Sequence, residues 1–410
     1  MTLYEELKWR GLIKDEAGED LKEKLDKDKV TFYWGTDPSA DSLHIGHYSS
    51  LLTAKRLANH GHHPILLIGG ATGMIGDPRP TAEREIQPKE IIEENAKKLK
   101  KQVEEIFDGN VEVVNNYEWT KDINILDFLR DVGKYININY MINKDIIKRR
   151  LETGITFAEF TYTLLQGYDF LHLYETKNCT MQVEESDQWG NITTGIDLIN
   201  KKIGEKAYAF TMPLILDANG NKFGKSEGNA LWLDKNKTSS YEIYQYLLNS
   251  SDEKVEEYLK VYTFLTKEEI ELLIKKHQTA PEKRLAQKEL AKHFITDLRG
   301  KKEAKRAIQI SEALFSGNIK QLSKAEIEAV FKDVPTFVIK QGTNIIDMLV
   351  ESKITSSKRE AREFVNAGSI TINGEKVKDL EYKFNKNNAI EKEIFVVRRG
   401  KKKYFIGKIS

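Results

Sequence analysis

The first half of this 410-residue chain alternates short apolar segments with amphipathic stretches, and that alternation limits its fold more than any other feature. Strand-like segments at 30–34, 64–68, 111–115, 180–183 and 208–216 are separated by helical patterns at 46–59, 89–106, 123–131, 144–152, 157–174 and 188–202. Such alternation predicts an α/β domain with a parallel sheet covered on both faces. Ligands of these sheets bind beyond the carboxyl ends of the strands, where the strand order reverses. Three turns follow strand candidates: "WGTDPSA", "GGATGMIGDP" at 69–78 and "ESDQWGN" at 185–191.

Past residue 228 the pattern turns helical. "SSYE" at 239–242 and "TKEE" at 266–269 are capping boxes, and Pro281 suits a helix start before a helically spaced run to Gly317. A weakly patterned stretch leads to a small terminal module, in which "SKREAREFVNAG" reads as a basic helix ending at Gly368. "SITINGEKV" follows as two strand pieces around Asn373-Gly374. The expected organisation is therefore a domain over 1–228, a helical domain over 229–320, a linker over 321–342 and an α+β module over 343–410.

Charge separates these parts. Residues 343–410 hold 15 Lys and Arg against 9 Asp and Glu, while the rest holds 49 against 54, so a basic module follows a mildly acidic body. That split points to a polyanionic partner met in part by the module. No apolar run approaches the roughly 18 residues that span a bilayer. The charged start "MTLYEELKWRGLIKDEAGED" lacks an apolar secretory core, and Cys179 is the sole cysteine. Both favour a cytoplasmic setting without disulfides.

Chemistry concentrates at three places. In "DPSADSLHIGH", His44 and His47 lie three apart where a strand hands over to a helix, which sets both imidazoles on one face of the first turn. The unpaired N–H groups of such a turn suit phosphates. Five of the eight histidines lie between His44 and His63, but His47 and His60 sit at opposite ends of one helix, about 20 Å apart. Zinc is therefore not expected, and His60, His62 and His63 read as an exposed helix end and turn. In "NKFGKSEG", Lys222, Lys225 and Ser226 surround Gly224, a composition fit to close over a polyphosphate. The third place is the apolar helix from Phe157, where Tyr162, Gln166 and Asp169 form a polar line at i, i+4 and i+7. Buried there they need partners, since each unmet group costs about 1–3 kcal/mol. A bound zwitterion meets that need, as do structural partners.

"YWGTDPSADSLHIGH", "GGATGMIGDP", "TFAEFTYTLLQGYDF", "SDQWGNI" and "KFGKS", in this order and spacing, resemble the bacterial tyrosyl-tRNA synthetase family over essentially the whole chain. The HIGH and KFGKS-type signatures mark class I aminoacyl-tRNA synthetases in general, and the surrounding text is specific to the tyrosine enzyme. The resemblance implies a Rossmann-like catalytic domain, an α-helical anticodon-side domain and a small ribosomal-protein-like RNA-binding module. It implies formation of tyrosyl-adenylate from L-tyrosine and Mg-ATP, then transfer of tyrosyl to the terminal ribose of tRNA-Tyr by a cytoplasmic homodimer. It implies neither a zinc ion nor a membrane contact.

Roles carry over by position. Tyr33 and Asp169 would bind the substrate phenol, and Asp77, Tyr162 and Gln166 its ammonium, with Asn116, Gln182 and Gln188 lining the pocket. Gly35, Asp37 and Asp187 would contact the adenylate. His44, His47 and Ser39 would meet the phosphates, joined by Lys222, Lys225 and Ser226 on the loop and by Arg84. The basic residues Lys358, Arg359, Arg362, Arg398, Arg399, Lys401, Lys402 and Lys403 would contact tRNA.

The chain also departs from the family. Trp34 stands where a cysteine facing the ribose is usual, and Glu184 and Glu185 stand where small residues are usual. Carboxylates there repel an adenylate unless both turn away. "RPTAER" after "GDP" is a residue short and lacks the common lysine. Two alternatives share parts of the pattern: a small-molecule adenylyltransferase, and an RNA-binding factor built on a decayed synthetase.

Overall fold

The computed structural model describes residues 1–78, 85–226, 229–332, 334–400 and 403–410. The chain divides into two compact units, Met1–Thr238 with Ser250–Ala286, and Ser239–Asn249 with Gln287–Ser410.

The first unit is built on a six-stranded sheet: β1 (Glu16–Ala17), β2 (Thr31–Thr36), β3 (His63–Ile68), β4 (Glu112–Asn115), β5 (Cys179–Glu185) and β6 (Tyr208–Met212), in the order β1-β6-β5-β2-β3-β4. All neighbours are parallel except β1, which pairs antiparallel with β6. Phe32, Tyr33 and Trp34 are consecutive and all buried, as are Ile65 to Ile68. Unbroken apolar runs of this kind belong to strands covered on both faces. The segment expected as a strand to residue 216 leaves the sheet at Met212.

From β2 the chain runs outward through β3 and β4, then returns to lay β5 on the other side of β2. The strand order reverses between β2 and β5, and Tyr33 lies opposite Gln182 there. Two helices frame that point. Ile45–Asn59 follows β2 with ten buried residues, and Phe157–Lys177 precedes β5 with nine. The latter packs on the Trp189–Ile203 helix through Gly167 and Gly195. A Cβ on Gly195 would lie 2.9 Å from Phe170 Cδ1, so the close approach of the two helices requires glycine.

His62 corrects an expectation. It is buried rather than part of an exposed turn: its Nδ1 accepts the Val30 N–H at 3.3 Å, and its Nε2 pairs with the Leu25 carbonyl at 3.1 Å. It thus ties the entry of β2 to the preceding helix Leu21–Lys27.

The helically spaced run from Pro281 to Gly317 opens with the short 3₁₀ turn Pro281–Lys283. Residues Leu285–Arg299 and Lys301–Ser316 form two helices, broken at Gly300, whose φ is +86°. The terminal sheet holds β9 (Thr336–Ile339), β10 (Ile370–Ile372), β11 (Glu375–Lys376), β12 (Ile394–Arg399) and β13 (Lys403–Ile409), in the order β11-β10-β12-β13-β9. Ile345, Leu349, Val365, Phe384 and Phe395 are fully buried at its core. The segment 321–342, expected as a linker, carries the helix Lys324–Val330 and then β9, which pairs parallel with β13. Asn373 and Gly374, both at positive φ, make the tight β10–β11 turn. No helix among the described residues is long and apolar enough to cross a membrane.

Burial holds the His62 pKa below the usual 6.5, with Lys29, His60 and His63 acting in the same direction. The native state therefore resists a proton that the unfolded chain accepts. Its contribution to stability is complete above the unfolded-chain pKa of about 6.5 and is lost as the pH falls toward the folded-state value. Urea unfolding about one pH unit above and about one below that pKa should show His62→Gln less stable at the higher pH and less pH-dependent than the parent. Equal pH slopes would remove His62 from the acid response.

Candidate active site

A cavity opens at the carboxyl ends of β2 and β5, at the reversal of strand order. Tyr33, Asp37, His47, Tyr162, Gln166 and Asp169 line it, together with Trp34, Gly35, Ser39, Asp77, Glu184, Glu185, Asp187 and Gln188. The polar line expected on the Phe157–Lys177 helix thus faces this cavity with all three of its members.

At the inner end Asp169 is 2% exposed and accepts one N–H on each carboxylate oxygen, from Asn116 Nδ2 and from Trp119 Nε1, both at 2.9 Å. Asn116 also donates to Thr72 Oγ1 at 3.0 Å and accepts the Ala71 N–H. Thr72 donates to Asp37 at 2.7 Å, and the other Asp37 oxygen accepts from Tyr162 Oη at 3.1 Å. Asn116 and Gln182, expected on the pocket surface, instead stand behind it, both almost completely buried. Burial pushes the Asp169 carboxyl up to about 7 against the lowering effect of its two N–H donors. Burial, then the Asp169 charge, raises the Tyr33 phenol. Tyr33 Oη and Gln166 Oε1 are buried and have no hydrogen-bond partner among the described residues. Nearer the mouth, Asp77 accepts from Gln188 Nε2 at 2.9 Å and Asn191 Nδ2 at 3.1 Å.

The sequence alone does not point to Trp119, Thr72 or Asn191. Trp119 lies on the four-residue helix Tyr117–Thr120 within a polar stretch, and no periodicity marks it. Only its spacing of three from Asn116 hints that both face one way.

At the other end His44 caps the Ile45–Asn59 helix. The two imidazoles stack at 3.8 Å, with His44 Nδ1 accepting from Gly46 N and His47 Nδ1 accepting from His44 N. The expectation of unpaired first-turn N–H groups fails here. Ile45 N donates to the Leu231 carbonyl at 2.8 Å, Gly46 N to the His44 ring and His47 N to the His44 carbonyl. Burial, then His44 and Lys222, holds His47 well below the usual imidazole range, so it is neutral with its proton on Nε2.

The lysine loop packs on this turn. Leu231 N donates to the Gly224 carbonyl, and Gly224 has φ +86° with Ile45 Cγ2 only 2.1 Å from where a Cβ would sit. Lys222 Nζ lies 3.9 Å from Asp187. Lys225 and Ser226 form β7 (Lys225–Ser226), which pairs with β8 (Asn229–Ala230). Their side chains, and the whole of Arg84, lie outside the described residues.

Glu184 and Glu185 do not turn away from the cavity, since both line it, and Glu184 Oε1 accepts the Gly35 N–H at 2.7 Å. In the second unit, Lys358, Arg359 and Arg362 lie on the Lys358–Asn366 helix, Arg398 and Arg399 end β12 and Lys403 starts β13. Arg359 is 90% exposed, whereas Arg399 binds the Ile354 carbonyl within its own module. Lys401 and Lys402 lie outside the described residues. No cluster of three or more His, Cys, Asp or Glu fit to hold a metal occurs among the described residues.

Comparison with known proteins gives consistent matches. The model for "tRNA synthetases class I (W and Y)" matches residues 25–316, and that for the "Tyrosine--tRNA ligase SYY-like C-terminal domain" matches 326–407. The chain is 48% identical over 416 residues to tyrosine–tRNA ligase 1 of Bacillus subtilis (strain 168), covering 99% of each. It is 50% identical over 415 residues to tyrosine–tRNA ligase of Listeria monocytogenes serovar 1/2a, again covering 99% of each. Among solved structures, a C-terminally truncated mitochondrial tyrosyl-tRNA synthetase from Aspergillus nidulans is 32% identical with a TM-score of 0.68, over 76% of this chain and 94% of that one.

The geometry around Asp169 makes one measurable demand. Trp119→Phe deletes one of its two N–H donors, so the carboxyl should titrate at a higher pH than in the parent. Carbon-13 NMR of labelled aspartates, with Asp169→Asn to assign the signal, reads the shift. An unchanged or lower value would show that the indole does not hold the anion.

Proposed function

We propose, on the premise that this chain belongs to the tyrosyl-tRNA synthetases of class I and charges tRNA with tyrosine through an aminoacyl-adenylate, that Tyr33 and Asp169 read the substrate phenol. The observation that carries this assignment is the buried Tyr33 hydroxyl, without a partner among the described residues, in the same cavity as the Asp169 carboxylate. A substrate hydroxyl donates to Asp169 and exchanges a hydrogen bond with Tyr33. Phenylalanine leaves both unmet.

The remaining roles follow along the cavity. Asp77, Tyr162 and Gln166 hold the ammonium, with Gln188 orienting Asp77. The tyrosine carboxylate attacks the α-phosphorus of ATP, an oxygen–phosphorus bond forms, and the bond to the β-phosphate breaks with its electrons leaving on pyrophosphate. Gly35, Asp37 and Asp187 face the adenylate. Ser39 and the Nε2–H groups of His44 and His47 donate to phosphate oxygens, while Lys222, Lys225, Ser226 and Arg84 neutralise the developing charge. Mg²⁺ arrives on the ATP phosphates as part of the substrate. The ribose hydroxyl of tRNA then attacks the tyrosyl carbonyl and releases AMP.

The basic helix Lys358–Asn366 and the β12–β13 end, with Arg398, Arg399 and Lys401 to Lys403, contact tRNA. An exposed apolar face with Ile125 (65% exposed), Leu129 and Phe157 (77%) supports a homodimer. The lone, buried Cys179 supports a cytoplasmic setting.

Pyrophosphate exchange with tyrosine and with phenylalanine tests the central assignment. Tyr33→Phe removes one of two partners and should lower the ratio of their kcat/KM values by a factor corresponding to about 1 kcal/mol. An unchanged ratio would remove Tyr33 as a reader of the hydroxyl. For tRNA, replacing Arg359 and Arg362 by Ala should weaken binding and reduce the salt slope by about one for each phosphate no longer neutralised. An unaltered slope would place the tRNA elsewhere on the module. Phe157→Glu should sediment as a monomer, and a persistent dimer would reject that face as the interface.

A further inference from the structure

The roles proposed along the cavity leave two of its lining side chains, Glu184 and Glu185, without one. Gly35 on β2 and Glu184 and Glu185 at the end of β5 flank the reversal of strand order. Glu184 is 5% exposed and is fixed through Oε1 by the Gly35 N–H at 2.7 Å. Glu185 Oε1 lies 3.4 Å from Ser50 Oγ on the Ile45–Asn59 helix. Both line the cavity into which the unpartnered Tyr33 hydroxyl opens.

Gln182 also interacts with Glu184, favouring its charged form. Carboxyl oxygens have acceptor capacity beyond these contacts, and buried acceptors are costly to leave unmet. ATP offers little to satisfy them at its phosphates, which carry acceptors and negative charge. Its ribose offers two adjacent neutral O–H donors, which an acidic side chain beyond a parallel strand is chemically suited to hold. Burial pushes Glu185 up to about 7 and holds Glu184 well above the usual carboxyl range, which reduces the charge they present to a phosphate nearby.

We propose that Glu184 and Glu185 are specificity-determining residues for the nucleotide sugar, accepting the 2′- and 3′-hydroxyls of the ATP ribose between them. The assignment rests on ATP occupying this cavity as the proposed function has it.

Pyrophosphate exchange by the full-length enzyme with ATP, 2′-deoxyATP and 3′-deoxyATP tests it. Glu184→Ala and Glu185→Ala should each lower kcat/KM for ATP by about tenfold or more, and by much less for the analogue lacking the hydroxyl that carboxyl reads. The ratio of ATP to that analogue then falls about tenfold. Glu184→Gln, which keeps an acceptor for Gly35, provides the same comparison if the alanine variant does not fold, and tyrosine binding followed by fluorescence checks the rest of the pocket. An equal fall for ATP and both analogues overturns the proposal, as does improved use of ATP. Absence of tyrosine-dependent exchange in the unaltered enzyme overturns the proposed function as well, whereas exchange with unchanged ratios overturns the sugar assignment alone.

Discussion

Asp169 is a carboxylate held away from water, and the inner half of the site is arranged around the cost of keeping it there. Burial alone disfavours its charge by several kcal/mol. Two N–H donors, one to each oxygen, reduce that penalty without cancelling it, and each donor is fixed in turn. Asn116 is held by the Ala71 N–H and Thr72, and the Trp119 indole stacks on His172 at 4.5 Å. The chain continues through Thr72 to Asp37 and Tyr162. Residues from β2, the β3 turn, the segment after β4 and the Phe157–Lys177 helix are thereby set by one hydrogen-bonded sequence. Side chains locked in this way present Asp169 to a ligand without further ordering.

The sheet supplies the other half of the constraint. Because β5 lies beside β2, residues about 150 positions apart in the chain meet at adjacent strand ends, Gly35 against Glu184 and Tyr33 against Gln182. A sheet that continued in one direction from β2 would cover this edge with a crossover helix. Reversal leaves it open, and the cavity occupies the opening. Tyr33 and Asp169 line it together with the carboxyls of β5 and with His47, whose ring stacks on His44.

Much of this was legible in the sequence because its cause is local. Apolar runs such as Phe32 to Trp34 mark doubly covered strands, and Tyr162, Gln166 and Asp169 share a helix face by spacing alone. The boxes at Ser239 and Thr266 cap helices as expected, because each bond closes over three residues. What escaped depends on distant partners. The strand β9 exists because β13 lies beside it some seventy residues later, so 321–342 has no strong pattern of its own. His62 is adjacent to exposed residues in sequence and is buried only because β2 and the Leu21–Lys27 helix meet over it. Trp119 belongs to the site through a single bond to a residue fifty positions away.

The start of the Ile45–Asn59 helix shows how a non-local contact changes the chemistry as well as the fold. A helix start usually presents backbone N–H groups to an anion. Here the Leu231 carbonyl and the His44 ring and carbonyl engage the first-turn donors, so the loop that carries the lysines is docked through the groups that an anion would otherwise use. The donors that this turn offers are therefore side chains rather than backbone. His47 is neutral and presents a directed N–H without net charge, so the positive charge at this end of the site comes from the lysine loop. Geometry and charge are thus divided between two elements, the helix start and the lysine loop. Gly224 allows them to meet, because any side chain there would occupy the space of Ile45 and separate the loop from the histidines.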